Sequence, residues 1–411
     1  MRKRSDIIEK SNKEEFITVV GENSGKQYRF YKYMYGVLEP DRESPLSCVS
    51  VANNSLSIDL WTGCALQCSY CHVQGIYEDI DWSNRRMRNK PVRRNDFTIE
   101  TIIDSLVDHP FFEKDKTVLS IGTSSTEPFA RGEVLESTLK IMEYFIEKGY
   151  KNPFWIVTKG SIPKESVERL LKISNAVDKL IISICYAGNR RIIEPSQNNR
   201  FRNVELLKKT SNNISINWYL RPFNIEWFDK DNFSLEDLFK RVSSEYGEYI
   251  DSIIPGGLRW TEGIEYGICE ARNLELPDLL KENNVKTMED SIWDELYKLR
   301  EQYFPTVPLY RHSSCGVSHA LQRDNICLTQ ILKKSDCNLS LCPIAQRGLC
   351  SGRKFDLDQI YQLNQKLNLT GFGITIDSID EINGKVKTTP PLKTFSPALE
   401  TAVIHSIANG I

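Results

Sequence analysis

Three cysteines lie close together in the segment GCALQCSYCH. Cys64, Cys68 and Cys71 form the pattern CxxxCxxC directly after SLSIDLW (55–61), a run rich in strand-forming residues. Three thiolates at this spacing can hold three irons of a four-iron cube, which leaves the fourth iron without a protein ligand. An open position on a metal can bind and activate a small molecule. The spacing therefore predicts a [4Fe–4S] cluster with one open iron.

Two ring side chains flank the last cysteine of this motif. Tyr70 is expected to form an aromatic wall beside the cluster. His72 allows an alternative, a structural zinc bound by Cys64, Cys68, Cys71 and His72. Structural zinc sites usually pair two CxxC knuckles in a small domain, whereas here a single loop follows a strand-like run. This context favours the iron–sulfur interpretation.

A second group of five cysteines lies within 36 residues near the C-terminus. Four thiolates would fill every iron of a second [4Fe–4S] cluster. The predicted ligands are Cys315, Cys337, Cys342 and Cys350, because Cys327 sits in the apolar, helical context NICLTQIL. A four-cysteine zinc site remains an alternative, since all-cysteine zinc sites tolerate irregular spacing. Unliganded core cysteines are a third interpretation.

Six strand-like runs alternate with helical segments and must position these cysteines. Such alternation predicts a parallel α/β sheet, and right-handed crossovers can curl six units into most of a barrel. No clear seventh or eighth unit follows. The predicted fold class is α/β, a partial (β/α)6 TIM-like barrel with a cysteine-rich C-terminal extension. Function is then expected in the loops that follow the strands. The six runs span 55–61, 117–122, 154–160, 179–186, 214–223 and 250–257.

The chain divides into four predicted parts. Residues 1–50 are polar and irregular and are treated as an N-terminal extension, and 51–260 form the barrel. Residues 261–353 are helical and cysteine-rich, and 354–411 form a small α+β module. In that module Asn383-Gly384 predicts a hairpin, because Asn-Gly is a strong signal for a two-residue turn.

The motif in this context resembles the radical S-adenosylmethionine (SAM) superfamily, over roughly residues 50–260. The resemblance implies a partial (β/α)6 barrel and an open iron that binds the amino and carboxylate groups of SAM. It implies that one-electron reduction yields a 5′-deoxyadenosyl radical, which abstracts hydrogen from a substrate. An electron donor such as flavodoxin or ferredoxin is implied as a partner. Many members carry an auxiliary cluster after the barrel, in agreement with the second cysteine group.

The resemblance also implies SAM contacts at three strand ends. The loop after the second strand stands where the family carries a Gly/Glu motif that meets the SAM amino group, and its hydroxyl and N–H groups suit a zwitterion. This loop consists of Gly122, Thr123, Ser124, Ser125, Thr126 and Glu127. Lys159 would face the SAM carboxylate, and Ser183 would reach the ribose or the methionine moiety. These two residues, and Arg200 after the fourth strand, resemble the spore photoproduct lyase branch. A helix cap for the loop and a core hydroxyl for Ser183 remain alternatives.

One departure from that branch bears on the substrate. Spore photoproduct lyases use a hydrogen-donating cysteine between the cluster loop and the third strand, and this chain has no cysteine between Cys71 and Cys185. Repair of a DNA lesion is therefore an alternative function only, and a zinc-stabilised binding protein without enzymatic activity is another. The basic segment RRMRNKPVRR (85–94) could neutralise phosphate or carboxylate groups on a nucleotide-like or other small-molecule substrate, and a solvated basic loop is the alternative. The sequence does not identify that substrate.

Composition limits the function classes further. The 411 residues carry a formal net charge of -2, which gives no overall attraction to nucleic acid or to a membrane. No apolar run approaches the roughly 18–20 residues that span a bilayer, and the charged start is not a secretory signal. A cytoplasmic location follows as an expectation, and in that reducing compartment clustered thiols indicate metal ligands. The isolated Cys48, Cys185 and Cys269 are expected to be buried small hydrophobes.

Overall fold

The computed structural model of the chain describes most of the predicted barrel and parts of both ends. The described residues are 16–31, 43–52, 55–71, 80–81, 86–87, 90–109, 111–123, 126–188, 199–228, 233–258, 260–276, 288, 290–324, 342–351, 357–369, 374–380 and 385–391. They form a mixed α/β structure around a seven-stranded, mostly parallel sheet. The predicted α/β class is confirmed at this level.

The strands of the described residues are β1 (Phe16–Val20), β2 (Gln27–Tyr31), β3 (Val49–Ala52), β4 (Ser55–Ile58), β5 (Trp61–Thr62), β6 (Ile80–Asp81), β7 (Arg86–Met87), β8 (Val92–Arg93), β9 (Leu119–Ile121), β10 (Phe154–Thr158), β11 (Leu180–Cys185), β12 (Ile214–Phe223), β13 (Ser252–Gly257), β14 (Thr375–Asp380) and β15 (Lys385–Thr389). The helices are α1 (Ile99–Val107), α2 (Glu133–Glu147), α3 (Val167–Ala176), α4 (Val204–Thr210), α5 (Leu235–Tyr246), α6 (Glu262–Arg272), α7 (Asp290–Tyr303), α8 (Ser313–Leu321), α9 (Ile344–Ser351) and α10 (Leu357–Leu369).

The main sheet has the strand order β13-β12-β11-β10-β9-β4-β3. Strands β4 and β9 to β13 are parallel and lie side by side in chain order, whereas β3 pairs antiparallel with β4 at the edge. All six strand-like runs of the sequence therefore contribute a parallel strand. Their carboxyl ends lie at one edge of the sheet, which is where the loops with the predicted site residues begin.

Local sequence explains where the helices between these strands begin. Thr98 caps α1 by accepting a hydrogen bond from the N–H of Thr101. Ser234 and Asp237 form a reciprocal capping box at the start of α5, a device that satisfies two N–H groups that the first helical turn leaves free.

Successive side chains along a strand point to opposite faces of the sheet. Different parts of the chain cover these two faces. Ile156, Ile182 and Ile216 join a large apolar core with residues of helices α1 to α5 and α7; we call this side the helix face. On the opposite face, Trp155 and Ile254 join a smaller core with residues from 310–321. A side chain on Gly316 of α8 would lie 2.3 Å from Ile254 Cδ1, so this helix packs directly on β13.

A short extended segment follows α7 on the far side of β13. Leu309 pairs with Ile253 in an isolated parallel bridge, the Ile253 N–H donates to Pro308 O (2.9 Å), and the Tyr310 N–H donates to Ile253 O (2.8 Å). The sequence analysis did not predict this additional parallel pairing beside β13.

The N-terminal region corrects one expectation. Residues 1–50 were expected to be irregular, yet β1 and β2 form an antiparallel hairpin that packs on α6. Tyr28 and Phe30 place their rings edge-on to Tyr266, with centroids 5.5 and 5.4 Å away. Because these three aromatic side chains are buried, the hairpin belongs to the folded body. Each strand is only five residues long, and β2 mixes polar with aromatic residues, which explains why they gave no signal.

At the C-terminal end, β14 and β15 pair antiparallel beside α10. Asn364 fixes the helix to the hairpin, since its amide donates to Ile376 O (2.9 Å) and accepts from Ile376 N (2.7 Å). The strands agree with the hairpin predicted from Asn383-Gly384, although the turn lies outside the described residues. No helix in the described part of the chain combines the length and the apolar character needed to cross a bilayer.

Candidate functional site

The first cysteine loop (64–71) leaves the carboxyl end of β4 and folds on itself. The Cys71 N–H donates to Cys68 O (3.1 Å), and the side-chain amide of Gln67 donates to Cys64 O (3.1 Å). Gln67 has a positive φ of 49°, which reverses the chain between the first two cysteines. The loop is thus a compact turn whose three thiols come from eight consecutive residues.

Burial controls the chemistry of these thiols. Cys64 and Cys68 are buried and Cys71 is partly exposed. Burial, together with the negative charges of Glu127 and Cys71, raises the pKa of the Cys64 thiol to about 12, and the Leu66 N–H opposes the shift. The metal-free thiol is therefore protonated near neutral pH, and a metal that binds it must displace the proton.

The cysteine loop packs against the ends of later strands. Cys68 and Tyr70 share an apolar cluster with Trp227, which follows β12, and with residues that follow β13. The Tyr70 ring stacks on Trp227 with centroids 5.8 Å apart, and Lys159 Nζ lies 4.3 Å from the Tyr70 ring centroid. A cation at this distance from an aromatic face is attracted to it. Lys159, predicted to meet the SAM carboxylate, is therefore brought to the loop that carries the cysteines.

Glu127 joins two of the predicted loops. Its carboxylate accepts hydrogen bonds from Thr158 Oγ1 (2.5 Å), Lys159 N (2.8 Å) and Phe129 N (3.2 Å), and the residue is only 6% exposed. The carboxylate thus connects the loop after β9 to the end of β10 and orients the backbone of Lys159. Its contact with the SAM amino group stays a prediction, because these hydrogen bonds are made within the protein.

The rest of the loop after β9 lies against β4, the first of the six parallel strands. Gly122 has a positive φ of 66°, and a side chain there would approach Thr126 O at 3.2 Å, so glycine suits the position. The Thr123 hydroxyl hydrogen-bonds to the Ser57 hydroxyl (2.7 Å). Ser124 and Ser125 lie outside the described residues.

Three buried hydroxyl groups line this region without a hydrogen-bond partner among the described residues. They are Thr62 Oγ1, just before the cysteine loop, Tyr70 Oη within it, and Thr126 Oγ1, next to Glu127 in the loop after β9. A buried hydroxyl left unpaired costs about 1–3 kcal/mol, so such groups usually face a bound water or ligand. Their grouping around one loop is a property expected of a binding site.

Ser183 and Arg200 lie deeper. Ser183 is fully buried within β11, and its hydroxyl accepts hydrogen bonds from Trp155 Nε1 (2.9 Å) and Asn217 Nδ2 (3.3 Å). Arg200 is 4% exposed and donates from Nη1 to Cys185 O (3.0 Å). These hydrogen bonds agree with the alternative of a core hydroxyl for Ser183. Contacts of Ser183 and Arg200 with SAM stay predictions.

A pocket of about 530 Å³ lies beside the cysteine loop at the carboxyl ends of the strands. This volume falls in the range of small-molecule sites. Its walls come from the cysteine loop, from the loops after β9 and β10, and from the residues before α4. They include Leu66, Glu127, Phe129, Gly160, Lys164 and Arg202.

The described members of the second cysteine group meet around one tyrosine. Cys315 belongs to α8, Cys342 precedes α9 and Cys350 belongs to α9. Burial raises the pKa of the Tyr310 hydroxyl, and the negative charges of Cys342, Cys315 and Cys350 raise it further. Cys315 and Cys342 also pack against the apolar cluster that contains Tyr310, so these predicted ligands lie in one region on the face opposite the helix face. Cys337, the fourth, and Cys327, the proposed spare, lie outside the described residues.

The described members of the two cysteine groups do not form a metal site. Across the described ranges, no three or more His, Cys, Asp or Glu side chains are arranged to hold a metal ion. The donor chemistry of the first loop suits an iron–sulfur cluster, since three soft thiol ligands lie on one short turn.

The isolated cysteines divide into two kinds. Cys48 and Cys185 are buried, as expected, whereas Cys269 is partly exposed.

Most of the basic segment 85–94 lies outside the described residues or in short strands. Within it, Arg93 donates from Nη2 to Phe97 O (2.5 Å) and thereby supports the local backbone.

Sequence reasoning missed one residue that contacts the cysteine loop. Arg272, at the end of α6, donates from Nη2 to Gln67 O (3.0 Å) across a separation of 205 residues. No local pattern could indicate this contact. Helix α6 is itself held by the N-terminal hairpin, through Lys26–Glu265 and Arg29–Glu262 ion pairs. The cysteine loop is therefore supported from outside the parallel sheet.

Comparison of the chain with models of known protein families finds no match, and comparison with curated proteins finds no matching sequence.

Proposed function

We propose that this chain is a radical SAM enzyme, in which Cys64, Cys68 and Cys71 hold a [4Fe–4S] cluster and SAM is reductively cleaved. The observation that carries the proposal is the place of the CxxxCxxC loop. It leaves the carboxyl end of the first of six parallel strands in chain order, and Lys159 from the third strand lies over its Tyr70. Loops at this edge of a parallel sheet are the usual location of α/β active sites.

The proposed architecture is a partial (β/α)6 barrel. Six consecutive parallel strands with helices between them support it, because right-handed crossovers then lead the chain steadily around one axis. In such a barrel the face that carries Trp155, Ser183 and Asn217 would be the inner one. The row of hydrogen bonds from Trp155 through Ser183 and Asn217 to Ser252 would then form a polar layer inside it.

The chain's own residues have distinct tasks in this proposal. A bound cluster with an open iron would supply an electron and a coordination position for the SAM amino and carboxylate groups. Lys159 would offer its ammonium group to the SAM carboxylate, and Tyr70 would shield the site on one side. Glu127 would set the position of Lys159 through its hydrogen bond to the Lys159 N–H. Burial of Cys64 and Cys68 would keep water from the cluster.

We propose a second [4Fe–4S] cluster held by Cys315, Cys337, Cys342 and Cys350. The convergence of three of these thiols near Tyr310 supports it. Four protein ligands leave no open iron, so this cluster would have a structural role or pass electrons from a donor such as flavodoxin or ferredoxin. A zinc ion is the competing occupant, and metal analysis of the purified protein separates the two.

The test of the function is an anaerobic assay for 5′-deoxyadenosine with reconstituted protein, SAM and a reductant. The Cys64→Ala/Cys68→Ala/Cys71→Ala variant is expected to form none. Cys269→Ala is the matched control, since Cys269 belongs to the same apolar cluster as Cys68 but not to the motif. Cleavage by the triple variant at the control rate would overturn the assignment. A colourless protein with zinc alone would favour the non-enzymatic alternative.

A further inference from the structure

Three cations meet near the carboxyl end of β11. Arg200 donates from Nη1 to Cys185 O (3.0 Å). Burial raises the pKa of the Cys185 thiol, the nearby positive charges of Lys159, Arg200 and Arg221 oppose this shift, and the negative charge of Glu127 adds to it. Strand register explains the meeting. Thr158, just before Lys159, pairs with Ile184, and Cys185 pairs with Tyr219, two residues before Arg221. The three side chains form what we call the cation cluster.

Arg221 is held in place from two sides. Its guanidinium lies 4.9 Å from the ring centroid of Tyr219. On the other side it occupies the space next to Gly256 of β13, where a Cβ atom would lie 2.2 Å from Arg221 Nε. Only glycine leaves room for the guanidinium there. A side chain confined in this way has little conformational freedom left to lose when it binds a ligand.

Arg221 nevertheless makes no ion pair in the described part of the chain. Its Nε is buried and has no hydrogen-bond partner among those residues, while the side chain as a whole stays partly exposed. Arginine presents a planar set of donors that fits carboxylate and phosphate groups. A fixed guanidinium with a buried, unpaired donor has the properties of an anion receptor.

The charge balance indicates that SAM alone would not satisfy this cluster. Among the described residues, Glu127 is the acidic neighbour of this cluster, and its carboxylate already accepts three hydrogen bonds from the protein. SAM carries a sulfonium and an ammonium group beside its carboxylate, so it adds no net negative charge. Within the described part of the chain, the Arg221 guanidinium therefore still has no counter-ion after Lys159 has met the SAM carboxylate.

We propose that Arg221, supported by Arg200, binds an anionic group, carboxylate or phosphate, of the second substrate. That the anion belongs to a substrate rests on the proposed function, whereas binding of the anion does not. Arg221 would then fix one end of the substrate on the face that carries Lys159, near the cysteine loop.

The test is calorimetric titration of the full chain with inorganic pyrophosphate and, separately, with malonate, at constant ionic strength. One of the two anions is expected to bind at one site per chain, and which one binds distinguishes phosphate from carboxylate. Arg221→Gln should weaken that binding roughly tenfold to a hundredfold, since a charge-assisted hydrogen bond is lost. Arg241→Gln is the control, because Arg241 is exposed and paired with Glu245 on α5.

A second variant tests the geometry rather than the charge. Gly256→Ala keeps Arg221 but fills its space, so it should weaken anion binding to a similar extent. If that variant does not fold, Arg221→Lys replaces it, since lysine keeps the charge without the planar donors and should also bind less tightly. Absence of one-site binding, equal affinity in wild type and Arg221→Gln, or an equal loss in Arg241→Gln would each overturn the proposal. SAM cleavage, measured on the same preparation, reports separately on the proposed function.

Discussion

Replacing Glu127 by glutamine tests whether its carboxylate connects the loop after β9 to β10. Glutamine has nearly the same volume, but one of its two terminal groups is a donor. In the structure both carboxylate oxygens accept from the protein, one from Thr158 and Phe129 and the other from Lys159 N. Whichever way the amide turns, its NH₂ group then faces a backbone N–H that has lost its acceptor.

The size of the effect follows from these contacts. A hydrogen bond to a charged group contributes ~1.5–3 kcal/mol, and a buried donor left unpaired costs ~1–3 kcal/mol. We therefore expect Glu127→Gln to lower the free energy of unfolding by about 2–4 kcal/mol. Urea denaturation of the metal-free protein measures this directly. Glu147→Gln is the matched control, since Glu147 is exposed near the end of α2 and such surface changes usually stay within ~0.5 kcal/mol.

The alternative role of Glu127 predicts the opposite pattern. If the carboxylate chiefly binds the SAM amino group, Glu127→Gln should leave unfolding close to that of the Glu147→Gln control while SAM affinity falls. That result would refute the connection between the two loops.

Three further predictions concern the surroundings of the site. Lys159→Ala should weaken SAM binding about tenfold to a hundredfold without loss of iron, since it removes a charge-assisted contact; unchanged affinity in equilibrium binding would mean that the ammonium group points elsewhere. Arg272→Ala should speed amide hydrogen exchange in residues 64–71, because the bond to Gln67 O is lost, and exchange as slow as in wild type would count against this support. Burial raises the pKa of the Cys48 thiol to about 11 from an ordinary value near 9. As the pH rises, this thiol therefore ionises in the unfolded chain before it ionises in the folded one. The free energy of unfolding should fall by up to ~3 kcal/mol between pH 9 and 11. Cys48→Ala should remove that part of the pH dependence in urea denaturation, and an equally steep fall in this variant would contradict it.

Periodic patterns predicted the sheet well. The run ISINWYLRPF coincides with β12, and the other five runs each contain their parallel strand within a few residues. These strands are buried on both faces, so they appear in the sequence as continuous apolar runs bounded by turn residues. The β1–β2 hairpin escaped prediction for a different reason, since its strands are only five residues long and are stabilised by contacts with α6.

The candidate site could be predicted only as far as local motifs reach. Spacing identified the cysteine loop, and position after a strand identified Lys159. The sequence could not show that the Glu127 carboxylate accepts hydrogen bonds from Thr158 and from the Lys159 backbone, because these bonds depend on how two loops pack together. Arg221 gave no signal either, since its role depends on a glycine in the neighbouring strand, 35 residues away.

The most direct test of the central claim is electron paramagnetic resonance of the reduced, reconstituted protein before and after addition of SAM. If SAM binds the open iron of a cluster held by Cys64, Cys68 and Cys71, the signal of one [4Fe–4S] cluster should change on addition. The Cys64→Ala/Cys68→Ala/Cys71→Ala variant should lack that component and keep only a signal that SAM leaves unaltered. A wild-type spectrum without a [4Fe–4S] signal, or one that SAM does not change, would contradict the account.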